Sequence, residues 1–393
     1  MAVVHLRPNH VKPVWAGHPW VFAQAIARIE GEAAAGDAVD VVDPSRTFLG
    51  RGFLSPRSAI PVRILTRKRG ESADEDLLIR RLREAIAWRR DVLGLPSAQT
   101  DGYRMVNSEG DGLPGLIVDR IGEVLVVQTG TIGMRRRVDR IVDVLVSDLK
   151  PKVVLESGPG AAAAKEELEP PRGVLVGTLD GAVSFRERGL SLQARPFGGQ
   201  KTGFFFDQRE NRTLVESLSK GKRVLDAYCY SGAFALAAAR GGAREVLGVD
   251  TSLPALELGA ENARANGLAV GFERADVANV LKSAGSRGPR FDLIVLDPPK
   301  LAVDRKSAGR AQTAYRNVNA AAMRALEPGG LLFTCSCSQS VGPDFLQRLV
   351  GLGARDAGRT ASVLDVRGQG PDHPVPAAFP EGRYLSCLLV RVS

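Results

Sequence analysis

Two hydrophobic periodicities divide this chain. From about residue 200 onward, short apolar runs alternate with stretches in which apolar side chains return every three or four positions. Val224-Leu225-Asp226, Val246-Leu247-Gly248-Val249-Asp250, Leu293-Ile294-Val295-Leu296-Asp297 and Leu331-Leu332-Phe333-Thr334 read as buried strands. Residues 231–240, 253–265 and 311–326 read as the helices between them. Strand, helix, strand repetition predicts a parallel sheet with crossovers. Tyr384 to Val390 reads as a last strand after a Pro-rich loop, 371–380.

The first 70 residues behave differently. Val39-Asp40-Val41-Val42-Asp43 and Ile60-Pro61-Val62-Arg63-Ile64-Leu65 carry strand-type alternation, and Glu30-Gly31, Asp43-Pro44 and Ser55-Pro56 mark turns. A small β-barrel or sandwich is predicted, ending in the basic stretch Thr66 to Gly70. Next, Leu77, Leu78, Leu82, Ile86 and Leu93 recur near helical spacing, with Arg80, Arg81, Arg83, Arg89 and Arg90 expected on a solvated face. Strands at Leu116–Asp119, Val124–Gln128 and Val153–Glu156, and a helix bearing Arg135, Arg136 and Arg137, complete a mixed α+β segment. Residues 161–169 form a low-complexity stretch. The expected domains are 1–70, 76–190 and 191–393.

Composition narrows the class. At 393 residues with 44% apolar and 25% charged, the chain suits a multidomain globular protein rather than a disordered one. No apolar run is long enough to span a membrane, and Met1 to Pro13 lacks the apolar segment of a secretory signal. Four cysteines, at 229, 335, 337 and 387, make no disulfide framework and suggest a reduced, cytoplasmic protein. The net charge of +9 favours a polyanionic partner, although many basic proteins bind none.

The candidate chemistry lies at strand ends, where open α/β sheets bind ligands. Asp226, Asp250, Asp276 and Asp297 are expected at successive carboxyl ends. A single Asp there is more often a helix cap, but a series of four shifts the balance. Ser231 and Gly232 follow the first strand, Ser231 as a cap and Gly232 as a close backbone approach. The glycine fingerprint of a dinucleotide site is absent, which disfavours an NAD-dependent dehydrogenase. Asp250 suits ribose hydroxyls and Asp226 a cationic amino group, so the set describes S-adenosylmethionine better than NAD.

Asp297-Pro298-Pro299-Lys300 holds the fourth acid on a rigid loop. Lys300 cannot stack on a base as an aromatic would. Phe333-Thr334-Cys335-Ser336-Cys337-Ser338 then brings cysteine to the next strand end, as a candidate nucleophile. A thiolate adding to C6 of a pyrimidine makes C5 nucleophilic toward a sulfonium methyl, and Asp297 is placed to hydrogen-bond N3. Both cysteines could instead be small core residues, and strand alternation is expected to turn one inward and one outward, so that only one reacts. A lone C-x-C gives poor grounds for zinc, so no metal is expected.

Four stretches together resemble the bacterial large-subunit ribosomal RNA cytosine-C5 methyltransferases. They are Lys201-Thr-Gly-Phe-Phe-Phe-Asp-Gln-Arg-Glu-Asn-Arg212, Asp297-Pro-Pro-Lys300, Ser336-Cys337-Ser338 and Asp372-His-Pro374. Gly17-His-Pro-Trp20 resembles that family's N-terminal PUA domain. The resemblance spans essentially the whole chain. It implies a class I Rossmann-like methyltransferase domain behind a PUA-like domain and a central α+β domain. It implies S-adenosylmethionine as donor and a cytosine of 23S ribosomal RNA as acceptor. The nucleophile would be Cys337, with Asp297 at N3. Asp226, Tyr228, Ser231, Gly232, Asp250, Asp276, Asp297, Phe206 and Gln208 would line the cofactor. Lys300, Arg209, His373 and Trp20 would meet RNA. Lys300 stands where the two-cysteine RNA cytosine enzymes carry the cysteine that releases product.

Neighbouring readings share much of this chemistry. Uracil C5 or another RNA could be the acceptor, and an inactive RNA-binding assembly factor would keep the fold while losing the cofactor. The exposed edge of a PUA-like barrel could pair, which makes a homodimer one expectation.

Overall fold

The computed structural model describes residues 1–158, 166, 168–196, 202–286, 288, 290–300, 308–338 and 340–393. Most of the low-complexity stretch 161–169 and Lys201 of the 201–212 motif lie outside the described residues. Two compact units are present. The first comprises Met1–Gly189, Ala194–Phe206 and Pro371–Gly382. The second comprises Leu190–Gln193, Asp207–Gly370 and Arg383–Ser393.

The first unit holds two sheets. One contains β1 (Val3–Leu6), β2 (Trp20–Val21), β3 (Ile26–Glu30), β4 (Ala38–Val42), β5 (Phe48–Leu54) and β6 (Val62–Thr66), in the order β2-β6-β5-β4-β1-β3. Alternation in β4 and β6 sends Val39, Val41, Val62 and Ile64 into one core with Val4 and Leu6. The other contains β7 (Gly102–Asn107), β8 (Leu116–Ile121), β9 (Val124–Thr129), β10 (Val153–Glu156) and β11 (Gly173–Val176), in the order β11-β10-β9-β8-β7.

Helix Glu75–Asp91 starts at Asp74, whose Oδ1 accepts the Leu77 N–H at 3.0 Å. It buries Leu77, Leu78 and Leu82 together with Phe53 and Leu65 of the first sheet. The first two expected domains therefore share a core within one unit. The expected arginine helix is two helices, Ile132–Arg135 and Val138–Leu149. β12 spans Val183–Glu187 and β13 spans Leu190–Ala194.

The second unit is built on β14 (Arg223–Ala227), β15 (Glu245–Asp250), β16 (Gly271–Arg274), β17 (Phe291–Leu296), β18 (Leu326–Ser336), β19 (Ala361–Arg367) and β20 (Ser386–Val392). Their order is β16-β15-β14-β17-β18-β20-β19. The first five are parallel, β20 runs antiparallel to β18, and β19 runs antiparallel to β20. Leu225, Ala227, Ile294 and Leu296 are buried, as strands covered on both faces require. Helices Ala233–Arg240, Leu253–Ala265 and Ala308–Ala325 match the expected ones, with ends shifted by up to three residues. Strand order reverses between β14 and β17, and the crevice at such a switch point takes ligands. No helix among the described residues is long and apolar enough to cross a membrane.

Candidate active site

The switch point brings Asp226 and Asp297 to neighbouring strand ends. Asp226, the penultimate residue of β14, is fully buried, and its Oδ2 accepts the Ala235 N–H at 2.9 Å, inside the first turn of helix Ala233–Arg240. Burial pushes its carboxyl up to about 7; Asp297 and Asp250 push the same way, while the Ala235 N–H and Arg212 oppose them. The loop between strand and helix turns sharply, with Tyr228, Tyr230 and Gly232 all at positive φ. Asp250 ends β15 and braces that loop. Its Oδ2 accepts the Tyr230 N–H at 2.9 Å, and its Oδ1 accepts the Ser252 N–H at 2.9 Å. A carboxylate oxygen can accept more than one hydrogen bond, so Asp250 keeps capacity for a ligand. Ser231 is buried. Three acids that raise or share one local negative potential form a donor set suited to a cationic ligand.

Asp276 is not at a strand end. β16 stops at Arg274, and exposed Asp276 accepts the Asn279 N–H at 3.1 Å, at the start of helix Val277–Ser286. Its short polar side chain makes it a helix cap.

Asp297 follows β17. Its Oδ2 accepts from the Gln208 Nε2 at 2.9 Å. Gln208 is buried, and its Oε1 accepts from the Asn211 Nδ2 at 2.6 Å. Both ends of the Gln208 amide are thus engaged by protein. It lies within the 201–212 motif, just before helix Arg209–Leu218.

The cysteines separate cleanly. Cys229, Cys335 and Cys387 are buried, whereas Cys337 is partly exposed. Residues two apart on a strand share a face, so alternation alone does not separate Cys335 from Cys337. The strand ends at Ser336, and that ending makes the difference. Ser336 and Ser338 are buried on either side of Cys337. Ser336 Oγ donates to the Tyr315 hydroxyl at 3.1 Å, and the Ser338 N–H donates to Ser336 Oγ at 3.2 Å. The serines hold the turn down onto helix Ala308–Ala325 and leave Cys337 at the rim.

Of the other expected site residues, Phe206, His373 and Trp20 belong to the first unit and Arg209 and Lys300 to the second. Phe206 is enclosed by Phe185 and Phe204, with ring centroids 5.7 and 5.2 Å away, in the core of the first unit. Arg209 is buried, so its guanidinium is not a surface contact for RNA. His373 is buried as well, its Nδ1 3.0 Å from Asp372 Oδ1. Trp20 is half-buried, its indole N–H donating to Glu109 at 2.7 Å and its ring edge-on to Phe379. Lys300 is exposed.

Sequence reasoning passed over Tyr315, Asn211 and Arg367. The Asn211 signal was present, since it lies one helical turn after Gln208. Tyr315 and Arg367 come from distant chain segments and had no local signal.

A family model for PUA-like domains matches residues 4–67, and one for S-adenosylmethionine-dependent methyltransferases matches residues 175–377. The ribosomal RNA large subunit methyltransferase I of Shewanella denitrificans is 38% identical over 99% of both chains. That of Shewanella frigidimarina is 39% identical over the same share. A solved methyltransferase complexed with SAH covers 100% of both chains with a TM-score of 0.86 at 20% identity. A methyltransferase from Streptococcus mutans covers as much, with a TM-score of 0.84 at 19% identity. At those identities the solved structures bear on the fold, which is the expected one: a PUA-like domain ahead of an α/β methyltransferase domain.

Proposed function

The chain belongs to the ribosomal RNA large subunit methyltransferase I family of S-adenosylmethionine-dependent enzymes, and from that premise we propose that it methylates C5 of a cytosine in 23S ribosomal RNA through a covalent Cys337 adduct. The observation that carries this reading is the exposure of Cys337 alone among four cysteines, one strand over from Asp297.

Bound S-adenosylmethionine supplies an electrophilic methyl group on a cationic sulfonium. Asp226, Asp250 and Asp297 favour that charge, Asp250 can take the ribose hydroxyls, and the Gly232 turn admits close approach. The Cys337 thiolate adds to C6 of the base, which moves electron density onto C5 and N3. N3, which carries no proton in neutral cytosine, would take one up from solvent as the thiolate adds, and the Asp297 carboxylate would accept a hydrogen bond from that N3–H and stabilise the adduct. C5 would then take the methyl group, leaving S-adenosylhomocysteine, and loss of the C5 proton to a base would expel the thiolate. An extruded base is required for this, because C6 is shielded in a stacked helix.

The PUA-like domain and basic surface would supply phosphate and shape contacts, with Trp20 and Lys300 as contributors. RNA affinity should therefore fall steeply with salt. An enzyme of this kind works in the cytoplasm, where ribosomes are assembled.

Nucleoside mass spectrometry of ribosomal RNA from a strain lacking the protein tests the substrate. Loss of one 5-methylcytidine from 23S RNA is expected, and an unchanged 23S profile overturns it. Purified Cys337→Ala tests the mechanism. It should bind S-adenosylmethionine yet transfer no methyl group; transfer at the wild-type rate overturns the covalent route.

A further inference from the structure

A line of polar side chains enters the site from the far edge of the sheet. Arg367, the last residue of edge strand β19, donates from Nε to Asn211 Oδ1 at 2.9 Å. Asn211 donates from Nδ2 to Gln208 Oε1 at 2.6 Å. Gln208 donates from Nε2 to Asp297 Oδ2 at 2.9 Å. Gln208 and Asn211 are buried, and Arg367 is partly buried.

The chemistry of the first member orients the whole series. A guanidinium only donates, so it must face the Asn211 oxygen. The Asn211 NH₂ then faces Gln208, the Gln208 oxygen faces back, and its NH₂ faces Asp297. Amide orientation is usually open to a flip. Here a flip of either amide would set donor against donor at one of its junctions and acceptor against acceptor at the other. Arg367 is itself held by Asp365 at 3.0 Å, and Asn211 also donates to the Gly368 carbonyl at 3.2 Å.

We propose that Arg367, Asn211 and Gln208 are positioning residues which present a fixed N–H donor to Asp297 and so keep it a hydrogen-bond acceptor during methyl transfer. The proposal rests on the reading of Asp297 as the acid facing the reacting base. It assigns a role to Arg367, a residue on the sheet's outer strand, and reassigns Gln208 from lining the cofactor to orienting an acid. Same-direction donors polarise one another in a buried setting, which strengthens the last bond.

Other groups also act on Asp297. Asp226 faces it from β14, Cys335 and Cys387 from β18 and β20, and Tyr315 from helix Ala308–Ala325. Arg212, on the helix that also carries Asn211, acts on the same acidic group through Asp226. None of them is changed by the test below.

The decisive variant is Asn211→Asp. It is nearly isosteric and keeps a partner for Arg367. A carboxylate at 211 has no NH₂ to give the Gln208 oxygen, so it competes with Asp297 for the Gln208 NH₂ and weakens the donor that Asp297 holds. An acid with a weakened donor is easier to protonate. Single-turnover methyl transfer to ribosomal RNA from the deletion strain is measured with full-length protein across pH. The expected result is an acid limb moved to higher pH, with the plateau rate at alkaline pH changed less than about threefold, under half of one tenfold step in free energy. A limb in the wild-type position overturns the proposal.

Arg367→Met, which removes the orienting cation, should move the limb the same way by less. It carries the test if Asn211→Asp fails to fold, and an unmoved limb there also overturns the proposal. Asp297→Asn separates this failure from failure of the underlying reading. Full activity in Asp297→Asn sinks the role of Asp297 itself, whereas an inactive Asp297→Asn beside an unmoved limb sinks only the chain.

Discussion

Cys335 and Cys387 stand opposite each other on the antiparallel strands β18 and β20, both sealed from solvent. Burial pushes each thiol up, most strongly at Cys335, where Cys387 adds to the effect. Burial does the same to Cys229. Thiolate is the reactive form, so these three should be inert in the native state. Titration of folded protein with Ellman's reagent should show one fast thiol, and Cys337→Ser should remove it. Denaturant should then expose the others. A second fast thiol in folded Cys337→Ser protein would contradict the assignment.

Asp226 gives a pH dependence of defined sign. Its ordinary value of 3.8 is pushed up to about 7 by burial, then by Asp297 and Asp250, against the Ala235 N–H and Arg212. The folded chain holds a proton that the unfolded chain releases near 4. Stability from this group is therefore full in acid, declines above about pH 4 and is lost by about pH 7. The full effect is on the order of 4 kcal/mol. Urea midpoints measured from about pH 5 to pH 8 should fall less in Asp226→Asn than in wild type. A cationic ligand favours the ionised form, so S-adenosylmethionine binding at about pH 6 should release protons, visible by calorimetry in buffers of different ionisation heat. Equal slopes in both proteins would remove Asp226 as the cause.

Much of the second unit was legible because its signals are local. Helix Leu253–Ala265 matched its expected span, and Asp226, Asp250 and Asp297 end or follow buried apolar runs that could hardly be anything but parallel strands. Asp276 was misread because a cap two residues past a strand looks like a strand end. Arg89 and His373 were misread for a different reason. Arg89 belongs to an arginine-rich helix face, yet it is fully buried. Its three nitrogens reach the Arg104 carbonyl, Asp111 and the Asp372 carbonyl at 3.1, 2.5 and 2.7 Å. The Asp372 partner lies 283 residues away in sequence. A charge is buried only when distant partners receive it, and single-sequence periodicity carries no trace of them.

The same network predicts a large stability effect outside the methyltransferase sheet. Arg104 grips Asp119 with Nε at 2.5 Å and a second nitrogen at 3.2 Å, and Thr202 donates to Asp119 at 2.5 Å. Asp119 is fully buried. Asp119→Ala leaves the Arg104 guanidinium in the interior without its anion, at a cost of about 3–5 kcal/mol. Hydrogen exchange should show lost protection in β7 and β8 of the first unit, with β14 and β17 of the second protected as before. Loss of less than about 1 kcal/mol would mean that Arg104 finds another anion or water.

Gly232 should be hard to replace, for two separable reasons. It sits at φ +74°, and a Cβ there would lie 2.7 Å from two ring carbons of Phe272. A Cβ at Gly248 or Gly259 would meet the same ring, at 2.9 and 3.0 Å. Gly232→Ala should lose about 1–3 kcal/mol to backbone strain and a comparable amount to overpacking. It also disturbs the first turn of helix Ala233–Arg240, whose Ala235 N–H holds Asp226, so S-adenosylmethionine affinity should fall with stability. Phe272→Leu in the Gly232→Ala background relieves the clash and leaves the strain. A double-mutant cycle on urea unfolding should therefore show favourable coupling between the two substitutions. Zero coupling would assign the whole loss to the backbone, and an undiminished stability in Gly232→Ala alone would mean that this turn does not need its left-handed glycine.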